Sequence, residues 1–252
     1  MEEEVARQIG ERIGREVPGF DGKQVVEVIA KVEAEIGYAL TDAQREAVFT
    51  STTCGICVIS GGAGRGKTTV VRAILAALEA PREHLPASQR HGVEHLQVAL
   101  TGCAVRRNSE ATGCPASTLS RLVHDIEDAG RRIDAGTVIF DEASMFDTPS
   151  IYRVLAQLPI GVNLIFIGDP GQLPPIGPGL PFHTMVKAKG IPSPANDPIY
   201  SDAVSQGSAA PDRPTEYPLQ KPRVAVENPV PFAGATAQPA EPDQVQRLLI
   251  SR

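Results

Sequence analysis

The sequence lacks a surplus of basic charge, a long hydrophobic run and a second closely spaced pair of cysteines. Because its formal net charge is −6 over 252 residues, any binding of nucleic acid would have to come from a local cluster of basic side chains. No apolar run approaches the roughly 18 residues of a transmembrane helix. The acidic start MEEEVARQIG is also unlike a secretory signal. We therefore expect a cytoplasmic protein without membrane contacts.

The four cysteines include one CxxC pair, Cys54 and Cys57, and that spacing can bind zinc or support redox chemistry. A zinc site would need a second close pair or histidines at matching intervals, whereas Cys103 and Cys114 are separated by ten residues. Cys57 lies within the apolar run ICVIS. We expect these thiols to behave as small buried hydrophobes instead.

The spacing of apolar residues predicts an α/β fold. Short, continuous apolar runs alternate with helical stretches, which is typical of a parallel sheet with helices on both faces. The runs occupy residues 56–60, 97–100, 137–140 and 162–167. Two further helices are predicted ahead of the first strand, at residues 3–15 and 24–36.

The proline content divides the chain. Eleven of its 22 prolines lie in residues 191–252, where they interrupt every apolar run before it could form a strand or a long helix. We expect this tail to be disordered. The predicted organisation is a helical N-terminal extension (1–37), an α/β domain (38–190) and a Pro-rich tail (191–252).

The segment GGAGRGKTT, residues 61–69, fits the pattern GxxxxGK[ST] and lies between a predicted strand and a predicted helix. Its glycines let backbone N–H groups and the helix N-terminus face phosphate oxygens. In such a loop Lys67 reaches the β and γ phosphates of a nucleotide and the Thr68 hydroxyl binds Mg²⁺. The predicted contacts are Gly61, Gly62, Ala63, Gly64, Arg65, Gly66, Lys67, Thr68 and Thr69.

Two carboxylates, Asp141 and Glu142, directly follow the strand TVIF. They are expected at the C-terminal edge of the sheet, on the same side as the phosphate loop. Asp141 would hold Mg²⁺ and Glu142 would orient and deprotonate the attacking water. On a purely structural interpretation, Asp141 would only cap the helix that follows.

Two glutamines complete the candidate site. Gln172 lies in the run GDPGQLPPIGPG, which follows the strand VNLIFI, and could sense the terminal phosphate from that edge. Upstream, Thr41 and Gln44 have the spacing of a capping box, which by itself nearly accounts for both residues. A role for Gln44 in reading adenine needs support from elsewhere in the chain.

That support comes from four blocks that, in this order, resemble the RecD-like branch of superfamily 1 DNA helicases. The blocks are LTDAQREAV, GGAGRGKTT, VIFDEASMFDTPSIYRVLAQLP and LIFIGDPGQLPPIGPG. A fifth segment, residues 99–123, resembles the family segment that lies along single-stranded DNA, so Thr101, Arg106 and Arg107 are the candidates for DNA contact. The likeness covers residues 38–186.

The resemblance implies a RecA-like ATPase domain that uses ATP and Mg²⁺. It places Gln44 at adenine, Lys67 and Thr68 at phosphate and metal, and Asp141 and Glu142 at metal and water. It further implies that Gln172 couples the phosphate to DNA. Lys67, Glu142 and Gln172 are thus the candidate catalytic residues.

Some residues depart from the family pattern. Ala63 and Arg65 replace the proline and the small residue that similar proteins carry in this loop, and Arg65 would either crowd the loop or add a phosphate contact. Cys103 stands where the family often has a basic residue. Arg106 and Arg107 are either ordinary charges on a helix surface or phosphate contacts.

Members of this family use two RecA-like domains, and the second supplies arginines that stabilise charge in the transition state. After Arg153 the remaining arginines all lie in residues 213–252, outside any strand-to-helix context. We expect that a protein partner supplies the second motor domain or that the chain is a non-catalytic remnant that binds nucleotide or DNA. The pattern fits a truncated or frameshifted gene better than a natural regulatory tail.

Two other nucleotide-binding classes fit less well. A GTP-binding switch needs the guanine-reading sequence NKxD, and no asparagine here is followed by lysine. A small-molecule kinase would have no use for the paired carboxylates and the GDPGQ loop.

Overall fold

A computed structural model of the chain describes residues 1–17, 22–62, 64–80, 94–127 and 135–194. Within them, five parallel strands form one sheet in the order β1-β5-β4-β2-β3. The strands are β1 (Ile56–Ser60), β2 (Glu94–Ala99), β3 (Ala116–Thr118), β4 (Ala135–Phe140) and β5 (Asn163–Gly168).

Helices precede, connect and follow these strands. They are α1 (Glu2–Gly10), α2 (Gly22–Ile36), α3 (Asp42–Thr53), α4 (Lys67–Glu79), α5 (Gly102–Thr112), α6 (Leu119–Glu127), α7 (Thr148–Leu155) and α8 (Pro181–Lys187). A short 3-10 helix, Ala143–Met145, follows β4. In the described parts of the chain, no helix has the length and apolar character needed to cross a membrane.

Apolar side chains cover both faces of the sheet, as the continuous apolar runs predict. Along β1, Cys57 and Ile59 point to a core shared with α2, α3 and α4, whereas Ile56 and Val58 point to a core shared with α1, α6, α7 and α8. Cys57 is fully buried, and burial raises the pKa of its thiol to about 12. The predicted α/β fold with helices on both faces is confirmed.

Several element bounds differ from the sequence expectation. The first helix ends at Gly10, because the chain turns over residues 11–14 and Gly14 takes a φ of 73°. Strand β2 begins at Glu94, three residues before the predicted start, since its first residues are polar. Strand β3 and helix α8 were not predicted, because a three-residue edge strand and a seven-residue helix are too short to show a period.

Arg12 ties the N-terminal segment to the turn before β5. Its guanidinium is fully buried and donates to the backbone oxygens of Val162 (2.9 Å), Pro159 (2.7 Å) and Gln8 (2.7 Å). Desolvation lowers the pKa of Arg12 to about 10. These bonds fix the start of the strand that carries the GDPGQ loop.

At the other end of the domain, residues 191–194 reach the outer edge of β1. Val58 N–H donates to the Pro192 backbone oxygen at 2.9 Å, and Ile191 is buried. The rest of the predicted Pro-rich tail, residues 195–252, lies outside the described residues, so its expected disorder stays a prediction.

Candidate nucleotide site

The phosphate loop joins the end of β1 to the start of α4 at the C-terminal edge of the sheet. Gly66 precedes α4 with a φ of 75°, in the left-handed region that glycine favours. A Cβ at this position would also lie only 2.8 Å from Nε2 of Gln44. The backbone conformation therefore favours glycine at residue 66, and a larger residue there would also displace the side-chain amide of Gln44.

Lys67 begins α4 and folds back over the loop. Its ammonium group donates to the backbone oxygens of Gly61 at 2.7 Å and Gly62 at 3.0 Å. Thr68 lies exposed in the first turn of the helix, where backbone N–H groups have no partner within the helix. The predicted loop contact Ala63 lies outside the described residues.

Gln44 links helix α3 to the phosphate loop. The predicted capping box is confirmed, since Thr41 Oγ1 accepts from Gln44 N–H at 3.1 Å and Gln44 Oε1 accepts from Thr41 N–H at 3.0 Å. Gln44 Nε2 then donates to the backbone oxygen of Arg65 at 3.2 Å. The amide of Gln44 is thus shared between a helix cap and the loop that would hold phosphate.

Tyr38 is a neighbour of the loop that sequence reasoning missed. Its hydroxyl lies 3.1 Å from Oγ1 of Thr69, in the first turn of α4, and 48% of the residue is exposed. Tyr38 precedes α3 in an irregular stretch, so no periodic pattern marks it. An exposed aromatic ring beside this turn offers a flat apolar surface to a nucleotide base.

The carboxylates Asp141 and Glu142 follow β4 at the same edge of the sheet. Asp141 is fixed by a bond from its N–H to the Val98 oxygen at 2.8 Å, and its Oδ1 accepts from Glu142 N–H at 2.9 Å. Glu142 has a φ of 56° and is the one residue other than glycine with a positive φ in the described ranges. Such left-handed geometry costs roughly 1–2 kcal/mol and is concentrated at functional sites.

Helix α5 contacts both carboxylates. Asn108 Nδ2 donates to Asp141 Oδ2 at 2.9 Å, and Arg107 lies with one guanidinium nitrogen 3.6 Å from Glu142 Oε1. Sequence reasoning missed Asn108, although it lies one turn after Ala104 on the buried face of α5. That position of an amide on an otherwise apolar face was the available signal.

The three candidate DNA contacts lie on or beside this helix. Thr101 is the N-cap of α5, and its hydroxyl accepts from the N–H of Ala104 at 3.2 Å. Arg106 and Arg107 are both exposed. The structure therefore brings all three to one helix, which also touches the paired carboxylates.

The GDPGQ loop follows β5 and packs against the phosphate loop. Gly61 N–H donates to the Gly168 oxygen at 3.0 Å, and a Cβ on Gly62 would lie 3.7 Å from Arg65 Nε and 3.9 Å from Asp169 Oδ2. The side chains of Arg65 and Asp169 thus both approach Gly62. Asp169 was not among the predicted site residues.

Gln172 lies in the same loop and makes no side-chain hydrogen bond to the described residues of the phosphate loop. Its N–H donates to the Asp169 oxygen at 3.1 Å, while its side chain is exposed and makes no hydrogen bond to any residue that the structure describes. The fold places Gln172 at the correct edge of the sheet.

The oxygen donors at this edge suit Mg²⁺, which usually binds one or two carboxylates together with phosphate oxygens. Thr68 and Asp141 supply a hydroxyl and a carboxylate, whereas the described residues contain no cluster of three or more His, Cys, Asp or Glu side chains suited to an all-protein metal cage. A phosphate loop after one strand and an acidic pair after a nearby parallel strand define the class of P-loop nucleotide-binding domains.

Comparisons with known proteins narrow this class. A family model described as an AAA domain matches residues 39–200. The ATP-dependent RecD2 DNA helicase of Deinococcus radiodurans is 32% identical over 142 residues, which are 53% of this chain and 18% of the relative. The multifunctional conjugation protein TraI of Escherichia coli is 32% identical over 172 residues, which are 65% of this chain and 9% of the relative.

The RecBCD enzyme subunit RecD of Mycolicibacterium smegmatis is 28% identical over 195 residues, which are 65% of this chain and 35% of the relative. The chain therefore belongs to the AAA domain family, as a RecD-like P-loop helicase motor domain. It matches only about a third or less of the length of each of these three relatives.

Proposed function

We propose that this domain binds ATP with Mg²⁺ and hydrolyses it as the motor of a DNA helicase. The observation that carries the proposal is the arrangement around the phosphate loop. Lys67 and Thr68 start α4, while Asp141 and the strained Glu142 directly follow β4 at the same edge of one parallel sheet. Strain at a residue with a candidate catalytic carboxylate supports a functional role for it.

Each residue then has a distinct task. Lys67 exchanges the Gly61 and Gly62 oxygens for oxygens of the β and γ phosphates. Thr68 and Asp141 hold Mg²⁺, which when bound neutralises charge on the phosphate oxygens. Glu142 accepts a proton from the water that attacks the γ phosphate.

The remaining candidates orient the nucleotide and report its state. Gln44 reads the adenine edge, and its bond to the Arg65 oxygen ties that contact to the phosphate loop. The exposed ring of Tyr38 supports the base from the side of Thr69. Gln172 senses the terminal phosphate from the GDPGQ loop, and Arg65 adds a phosphate contact beside Gly62.

Single-stranded DNA is the proposed partner, and helix α5 is the proposed contact. The exposed Arg106 and Arg107 form the local basic cluster that an otherwise acidic chain needs. A second motor domain, from a partner protein, would supply arginines to the γ phosphate. Such arginines raise hydrolysis by roughly 10³–10⁵-fold in other P-loop enzymes, so turnover by this chain alone is expected to be slow.

ATP turnover by the full chain, with and without oligo(dT), tests the proposal. We expect slow release of phosphate that rises with oligo(dT) and disappears in Lys67→Ala and Glu142→Gln. Matched controls are Lys187→Ala and Glu110→Gln, which change exposed residues of the same types on α8 and α5. Equal turnover in wild type, Lys67→Ala and Glu142→Gln would reject the proposal.

A second outcome would support the alternative, a nucleotide- or DNA-binding remnant without catalysis. In that case ATP binds tightly, Lys67→Ala weakens the binding, and no phosphate is released even with oligo(dT). Adding a second RecA-like domain from a relative would then separate the two explanations. Restored turnover favours an incomplete motor, and continued absence of turnover favours the remnant.

A further inference from the structure

Two consecutive residues of α5 contact the two consecutive carboxylates after β4. Asn108 reaches Asp141 and Arg107 reaches Glu142, although each pair is more than thirty positions apart in the chain. The helix that carries the proposed DNA contacts is therefore in direct contact with the proposed metal ligand and the proposed catalytic base.

The two contacts differ in strength and freedom. Asn108 is buried, its hydrogen bond to Asp141 is 2.9 Å long, and its backbone oxygen accepts from the Thr112 hydroxyl at 2.7 Å. Gln97 of β2 also donates to the Thr112 hydroxyl at 2.8 Å. These bonds hold this end of α5 in place against the sheet.

Arg107, by contrast, can exchange its partner. Its side chain is 71% exposed, that of Glu142 is 28% exposed, and the two charged atoms are 3.6 Å apart. An ion pair of this kind contributes little, so another anion of similar strength can compete for the guanidinium. A phosphate diester is such an anion, and arginine binds it well.

We propose that Arg107 is a positioning residue that restrains Glu142 and releases it when the guanidinium binds a phosphate of single-stranded DNA. This inference rests on the proposed function. Because Asn108 fixes the helix, the change is a rotation of the Arg107 side chain and not a movement of α5. The released Glu142 carboxylate is then free to accept a proton from the attacking water.

The coupling must act in both directions. If DNA binding breaks the Arg107–Glu142 ion pair, the affinity for DNA is reduced by the free energy of that pair. Removing the charge of Glu142 must then strengthen DNA binding by the factor that corresponds to this free energy. For a partly exposed ion pair that factor is about two- to fivefold. DNA affinity therefore tests the inference without any need for hydrolysis.

The experiment measures binding of fluorescein-labelled oligo(dT) by fluorescence anisotropy, at one fixed salt concentration. The effect of Glu142→Gln on the affinity for oligo(dT) is measured in three backgrounds, namely wild type, Arg107→Ala and Arg106→Ala. Arg106 is the matched control, because it is the neighbouring exposed arginine and has no carboxylate within 4 Å among the described residues. Both arginine variants are expected to bind oligo(dT) more weakly than wild type.

We expect Glu142→Gln to raise the affinity for oligo(dT) about two- to fivefold in wild type and in Arg106→Ala. A gain of this size corresponds to the free energy of one exposed ion pair. In Arg107→Ala most of that gain disappears. An equal gain in the two arginine backgrounds would show a general charge effect and overturn the inference. Absence of any gain, or of any binding of oligo(dT) to the wild type, would also overturn it.

Turnover gives a second readout. Arg107→Ala should raise kcat without DNA by about two- to fivefold, leave KM for ATP unchanged, and reduce the stimulation by oligo(dT). Arg107→Lys should restore part of the stimulation, because it keeps the charge. If every variant lacks turnover, hydrolysis by this chain alone is refuted while the binding comparison still decides the inference. If turnover is present with unchanged stimulation in Arg107→Ala, the inference alone fails.

Discussion

The left-handed backbone of Glu142 leads to a prediction in which glycine and alanine reverse their usual order of stability. At a φ of 56° a side chain with a Cβ costs roughly 1–2 kcal/mol, whereas glycine adopts this conformation freely. This advantage of glycine is reduced by roughly 0.5–1 kcal/mol, because glycine loses more conformational entropy on folding than alanine does. Glu142→Gly should therefore have a higher free energy of unfolding than Glu142→Ala, by about 1 kcal/mol.

The comparison of these two variants isolates the backbone. Both remove the carboxylate and its contact with Arg107, so neither the charge of Glu142 nor its ion pair contributes to the difference. The matched control is Glu27, an exposed residue in the interior of α2. At this position Glu27→Gly should have a lower free energy of unfolding than Glu27→Ala, by about 1 kcal/mol, because glycine is the poorer helix former.

The assay is urea denaturation followed by far-UV circular dichroism, since the chain contains no tryptophan to report unfolding. The expected difference between the two sites is about 2 kcal/mol, which follows from the opposite signs at residues 142 and 27. Lower stability of Glu142→Gly than of Glu142→Ala, as at residue 27, would refute the assigned strain. Both Glu142 variants should also lack ATP turnover, so Glu142→Gly would be the more stable of two inactive forms.

Three further predictions concern other contacts. Arg12→Met should lower the free energy of unfolding by about 3 kcal/mol in the same assay, because buried backbone oxygens lose their donor; a loss below about 1 kcal/mol would contradict the assigned anchor. Tyr38→Ser should weaken binding of a fluorescent ATP analogue several-fold while Tyr38→Phe keeps most of it, because the ring provides the contact; equal affinities would exclude a stacking role. At pH 8 a thiol reagent should modify the exposed Cys103 and spare Cys57 until urea unfolds the chain, because burial raises the Cys57 pKa to about 12; peptide mapping that finds early labelling of Cys57 would contradict its burial.

The sequence is sufficient for the parts of the fold that repeat a local pattern. Continuous apolar runs predict four of the five strands, and the spacing of Thr41 and Gln44 predicts a capping box that the structure confirms. The phosphate loop is also recognisable, because its glycines and Lys67 have to occur at fixed spacing within one short segment of the chain. Each of these signals lies within a few neighbouring residues.

Other features depend on contacts between distant segments and leave no local pattern. The bond from Asn108 to Asp141 joins α5 to the residue after β4, and the contact of Tyr38 with Thr69 joins the stretch before α3 to the first turn of α4. The left-handed backbone of Glu142 arises from the turn between β4 and the 3-10 helix, and a glutamate gives no sign of it in the sequence. Such features become visible only in the folded structure.

We propose above all that Lys67 binds the β and γ phosphates of ATP and that Glu142 deprotonates the water that attacks the γ phosphate. A single-turnover measurement tests it most directly, with the full chain in excess over ATP labelled at the γ phosphate, Mg²⁺ and oligo(dT). We predict that wild type binds and cleaves the nucleotide, that Glu142→Gln binds it without cleavage, and that Lys67→Ala does neither. Cleavage by Glu142→Gln at the wild-type rate would contradict the account.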